Sequence, residues 1–147
     1  MSVEFREFAP RYPGGYSGSM ATREITLDNL DPTIAGNDIV LLDFWAAWCG
    51  PCRAFAPVFE QASEAHPDVV FGKVDTEAQQ QLAAGFQITS IPTLMALREN
   101  ILVFAQPGAL AAPQLEQVVA AVRGLDMDEV RTQTVAQEAQ DQQEVAR

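Results

Sequence analysis

One histidine and two cysteines are all that a chain of 147 residues holds of the ligand types structural zinc uses most. A structural zinc site takes four such ligands, so a metal clip here would need carboxylates or a second subunit to complete it. Positive charge is scarce as well. Nine lysines and arginines stand against 20 acidic residues, a net charge of −11. A surface this acidic gains nothing from counterion release, which argues against nucleic acid and anionic membranes as partners; the excess acid serves solubility. Long apolar runs are also missing. Asp43 interrupts the best one, so no segment of about 18 apolar residues is left to span a membrane. The opening MSVEFREFAPRYPGGYSGSM carries Glu4, Arg6 and Glu7 where a secretory signal needs unbroken apolar sequence. The expectation is a cytoplasmic protein, where a permanent disulfide is disfavoured and a CxxC pair serves metal binding or catalysis.

What is present suffices for one domain. The apolar share of 48% allows a proper core. Residues 1–21 combine Pro10, Pro13 and three glycines without periodicity and read as a disordered leader, with Met20 an alternative start. Residues 22–125 hold the ordered patterning. Residues 126–147, rich in Gln, Glu and Asp, bury little, and disorder or a frayed solvated helix is expected there.

Inside the domain the periodicity alternates between strand and helix. REITL reads as a strand and DNLDPTIAG as a short helix or turn closed by Gly36. DIVLLDFWA is a near-continuous apolar run, the mark of a strand covered on both faces. In CRAFAPVFEQASEAH, Phe55, Val58, Phe59 and Ala62 recur at helical spacing, with a kink expected at Pro57. DVVFGKVD is a third strand, and TEAQQQLAAGF a helix with Thr76 as the expected N-cap. ITSIPTLMALREN and ILVFAQ form an antiparallel hairpin. APQLEQVVAAVRGL places Leu115, Val118, Val119, Val122 and Leu125 on one stripe, with Pro113 at its start and Gly124 at its end. The order βαβαβαββα predicts an α/β fold: a mostly parallel sheet with an antiparallel edge and helices on both faces.

Both cysteines fall in DFWAAWCGPCRAFAP, between a buried strand and a helix. Cys49 is then at the helix N-terminus, where unpaired N–H groups and the helix dipole favour a thiolate, the nucleophilic form. Pro51 suits the first helical turn. Cys52 follows one turn in, placed to attack a mixed disulfide on Cys49 and release the substrate. Gly50 and Pro51 supply no cation to stabilise the thiolate further, which favours the disulfide form and a reductant. Asp43 lies inside the apolar strand. A buried carboxylate holds its proton more tightly than in water, which suits a proton carrier for Cys52. The competing reading is a carboxylate paired for structure with Lys73 on the next strand. Trp45 reads as core and Trp48 as an exposed contact residue beside the sulfur.

WCGPC after DFWA closely resembles the thioredoxin family. Lys73 in FGKVD is similar to the family's lysine beside the buried aspartate, SIPT to its cis-proline loop, Gly108–Leu110 to its glycine loop, and Pro57 to its helix kink. The resemblance spans about residues 22–125. It implies a central mixed five-stranded sheet flanked by four helices, and a monomer that reduces protein disulfides. Catalysis would use Cys49, Cys52, Asp43 and Lys73, with no metal and no cofactor beyond the Cys49–Cys52 couple. Electrons would come from an NADPH-dependent flavoprotein, thioredoxin reductase. Client chains would lie across Trp48, Gly50, Pro51, Ile91, Pro92 and Gly108, with a cis peptide after Ile91. Arg53 stands where a lysine is common, and Pro107 removes a backbone donor beside the client groove. A general disulfide reductase is the leading expectation. A dedicated reductase or isomerase for few clients, and a redox-silent binding module using the same groove, are the alternatives.

Overall fold

The computed structural model describes residues 21–146; apart from Ala21, the expected leader lies outside them. In chain order the elements are β1 (Thr22–Glu24), α1 (Leu30–Ala35), β2 (Ile39–Trp45), α2 (Gly50–Ala65), β3 (Val70–Asp75), α3 (Gln80–Gly85), β4 (Thr93–Arg98), β5 (Ile101–Pro107), α4 (Ala112–Arg123) and α5 (Met127–Val145). The sheet runs β1-β3-β2-β4-β5. β3 is parallel to both β1 and β2, while β4 is antiparallel to β2 and to β5. This is the expected mixed five-stranded sheet, with one helix more than the expected four.

The continuous apolar character of β2 has a simple cause. Its side chains alternate between two faces, and helices cover both. Leu41 packs with Phe55, Phe59, Leu115, Val119 and Val122 beneath α2 and α4. Val40, Leu42 and Phe44 pack on the other face with Ile34 of α1 and Leu82 of α3. Gly72 of β3 is required by the same crowding: a Cβ there would lie 2.5 Å from Ile25 Cγ1 and 3.1 Å from Leu42 Cδ2. At the β4–β5 turn, Glu99 and Asn100 have φ of 52° and 65°, the left-handed pair that a tight two-residue hairpin demands.

One expectation needs correction. Thr76 does not cap α3. Its hydroxyl donates to Trp45 O at 3.0 Å, and the helix starts four residues later, after Gln79. Asp75 organises the turn instead, accepting from the N–H groups of Glu77 and Ala78 at 3.0 and 3.3 Å. The tail carries α5 (Met127–Val145), capped by Asp126, whose carboxylate accepts from Asp128 and Glu129 N–H. Arg131 ties it to Glu99 of the hairpin. Met127 at its start is buried, while Val135 and Val145 are exposed among polar residues. Pro57 lies inside α2, which runs without a break from Gly50 to Ala65. Among the described residues no helix is long and apolar enough to cross a membrane.

Candidate active site

β2 ends at Trp45, and a three-residue loop carries the chain to Cys49, the N-cap of α2. The loop closes through the Cys49 N–H, which donates to Ala46 O at 3.2 Å. Arg53 steadies it from one turn into the helix, its Nη1 donating to Ala47 O at 2.8 Å. The sulfur of Cys49 then does what a serine hydroxyl does at other helix starts. It accepts the Cys52 N–H at 3.2 Å, one of the donors that a first helical turn leaves unpaired. A hydrogen bond to an ionised acceptor is about twice as strong as one to a neutral acceptor, so this contact stabilises a thiolate on Cys49 more than a thiol.

Cys49 and Cys52 are joined as a disulfide. Both are buried, at 4% and 3% exposure, while Trp48 beside them is 66% exposed. The Trp48 indole N–H donates to Glu77, which the Asp75 turn holds in place. Opposite the sulfurs runs the loop before β4. The Ile91–Pro92 peptide is cis, and Ile91 O lies 3.8 Å from Cys49 Sγ. Gly108 closes this side: its N–H donates to Pro92 O at 2.8 Å, and its φ of 101° is a conformation that side-chain-bearing residues rarely adopt. Trp48, Gly50, Pro51 and Gly108 are exposed, Ile91 is half-buried and Pro92 is buried. The six residues expected to receive a client thus surround the disulfide or the loop facing it.

Asp43 is 1% exposed, and neither carboxylate oxygen has a hydrogen-bond partner. Burial therefore dominates its titration and pushes it up from 3.8 to about 7, with the Lys73 charge opposing the rise. The two residues are direct cross-strand neighbours between β2 and β3. The Lys73 ammonium nevertheless pairs with Glu60, at 4.0 Å, and stands 5.1 Å from the centre of the Trp45 ring. Trp45 is half-buried and packs with the cysteine cluster instead of the main core. Sequence reasoning missed Glu60 and Glu77. Glu60 left a trace: it lies eight residues after Cys52, hence on the same stripe of α2. Glu77 left none, because its contact with Trp48 depends on how β3 turns into α3.

Residues 21–121 match the family defined as thioredoxin. A protein of Streptomyces coelicolor that carries the name thioredoxin 2 is 58% identical over 120 residues, 82% of this chain and 90% of that one. The thioredoxin of Alicyclobacillus acidocaldarius is 42% identical over 103 residues, 69% of this chain and 98% of the relative. Among solved structures, the short form of spinach chloroplast thioredoxin f is similar with a TM-score of 0.65 at 34% identity, covering 70% of this chain and 94% of that one. Fasciola hepatica thioredoxin is similar with a TM-score of 0.64 at 31% identity, covering 68% and 98%. With the paired sulfurs at the start of α2 and most of the domain matched, the chain belongs to the thioredoxin family and is a thioredoxin-type dithiol–disulfide oxidoreductase.

Proposed function

We propose that the chain is a general reductant of protein disulfides in the cytoplasm, working as a monomer, with Cys49 attacking and Cys52 resolving. The Cys49 thiolate attacks one sulfur of a client disulfide, forming a mixed disulfide and releasing the other client sulfur as a thiolate. Cys52 then loses its proton to the Asp43 carboxylate and attacks Cys49 Sγ. The client leaves with both sulfurs reduced, and the chain keeps the Cys49–Cys52 bond. Two electrons from NADPH, delivered through thioredoxin reductase, a flavoprotein, restore the dithiol. Trp48, Gly50, Pro51, Ile91, Pro92 and Gly108 form the surface that receives the client, and Lys73 moderates the charge of Asp43.

The observation that carries this reading is the Cys52 N–H donated to Cys49 Sγ at 3.2 Å. It gives the two sulfurs different environments and so different tasks. Insulin reduction driven by NADPH and a generic thioredoxin reductase tests the activity; turnover is expected, and Cys49→Ser abolishes it. Cys52→Ser stops at the mixed disulfide. In stopped-flow tryptophan fluorescence at pH 7, Asp43→Asn slows resolution by about 100-fold, the scale of one general base, and leaves the first attack nearly unchanged. Equal slowing of both phases would remove Asp43 from the proton path.

A narrower client range is the second reading. Pro107 favours it, because it ends β5 on the exposed edge beside Gly108 without a backbone N–H to offer a bound chain. Failure to reduce insulin, with intact reduction of the disulfide by thioredoxin reductase, would decide for this reading.

A further inference from the structure

Asp43, Lys73 and Glu24 form one row across the sheet, in register on β2, β3 and β1. On the side of α2 a third carboxylate, Glu60, approaches the same ammonium. Lys73 Nζ is 4.0 Å from Glu60 Oε1, with the two side chains 21% and 29% exposed. Asp43 has no hydrogen-bond partner of its own. One ammonium therefore stands between the carboxylates of Asp43 and Glu60, and its observed ion pair is with the helix residue instead of the buried one.

We propose that Glu60 is a positioning residue of the active site, holding the Lys73 ammonium toward α2 and so setting how readily Asp43 keeps its proton. The inference rests on the reading of Asp43 as proton carrier only for its catalytic consequence. The groups facing Asp43 are few. β3 contributes Lys73, and Asp75 two residues on, whose carboxylate is engaged by the Glu77 and Ala78 N–H groups. β1 contributes the exposed Glu24, beyond Lys73. α2 contributes Glu60 with the two cysteines. β4 places Leu94 opposite Asp43, with no titratable group. Among these, Glu60 is the one within ion-pair distance of the ammonium, and its charge acts in a partly desolvated place where screening by salt is weak.

Neutralising Glu60 frees Lys73 to turn toward Asp43 and removes a like charge from the neighbourhood. Both effects favour the ionised Asp43. An opposite charge brought within about 4–6 Å lowers a carboxylate by about 1–3 pH units, and a partial reorientation gives about one unit.

The test is a carbon-13 NMR titration of the Asp43 carboxyl in the oxidised full chain, assigned with Asp43→Asn. In Glu60→Gln the midpoint falls by about one pH unit. In Glu64→Gln, an exposed neighbour on the same helix, it stays where it was. In a Lys73→Met background, Glu60→Gln moves it by less than half as much, because the intermediary is gone. An unmoved or raised midpoint in Glu60→Gln, an equal shift in Glu64→Gln, or a full shift without Lys73 would each overturn the proposal. The pH profile of resolution, followed in parallel, shifts with the carboxyl. If the carboxyl moves and that profile does not, Glu60 keeps its role and Asp43 loses the task of proton carrier.

Discussion

Replacing Asp43 by Asn should stabilise the oxidised protein at pH 8 and do almost nothing at pH 4. Asp43 titrates at about 7 in the fold against an ordinary 3.8, chiefly through desolvation. Below pH 3.8 the carboxyl is protonated in both the folded and the unfolded chain, and it contributes no pH-dependent term. Between 3.8 and about 7 the unfolded chain releases the proton while the folded chain keeps it, so stability falls as pH rises. Above about 7 both states are ionised and the loss is complete. The interval is about 3 pH units at about 1.36 kcal/mol each, hence about 4 kcal/mol. An amide has nearly the shape of a protonated carboxyl and the same lack of partners, so its own cost is nearly that of the parent at low pH. With a urea m-value of about 2 kcal/mol/M, the variant's midpoint should exceed the parent's by about 2 M at pH 8, and the gap should close as pH is lowered through 7 to 4. Subtracting the two curves cancels every other titrating group. A gap that does not change with pH, or a parent that is the more stable at pH 8, would refute the assignment of the burial penalty to Asp43.

Phe59 is fully buried, packed between Phe55 of its own helix and Phe71 of β3 at ring separations of 5.7 and 5.1 Å. Phe59→Ala should cost about 3–5 kcal/mol in urea unfolding, with the thiol chemistry of the folded fraction unchanged. Gly108 at φ 101° tolerates no branched side chain without strain. Gly108→Val should cost about 1–3 kcal/mol and raise KM for protein disulfides more than it lowers the rate of reduction by a small dithiol. Equal effects on both substrates would remove Gly108 from the client surface.

The elements of this fold were legible where one physical cause dominated. β2 announced itself because both of its faces are covered, so every residue but one had to be apolar. α4 showed its stripe because three of the residues on it, Leu115, Val119 and Val122, meet one face of the sheet. Legibility failed where a side chain had two uses. Thr76 is a competent cap by composition, yet Trp45 O claims its hydroxyl, and Asp75 takes over the turn. The tail shows no apolar period, so the sequence left disorder and a solvated helix both open; its helix is capped by Asp126, tied to Glu99 through Arg131 and anchored by the buried Met127. The pairing of the cysteines, the burial of Asp43 and its place beside Lys73 were legible because a charge inside an apolar run and a CxxC between strand and helix are conspicuous. Glu60 looked like one more acid on an amphipathic helix.

Local chemistry along the chain thus determined that the two sulfurs sit in different environments, since a cysteine at a helix start and another one turn later differ in their hydrogen bonds wherever the helix sits. It also determined that Asp43 is buried, through its apolar neighbours on a strand with no solvated face. Only the tertiary structure decided what surrounds these groups. It put Ile91 and Gly108 opposite the sulfurs, gave Trp48 its Glu77, and set the Lys73 ammonium beside Glu60 while leaving Asp43 without a hydrogen bond. Charge and hydrogen bonding act over a few ångströms in space, and residues far apart in sequence come within that range only when the sheet and its helices close.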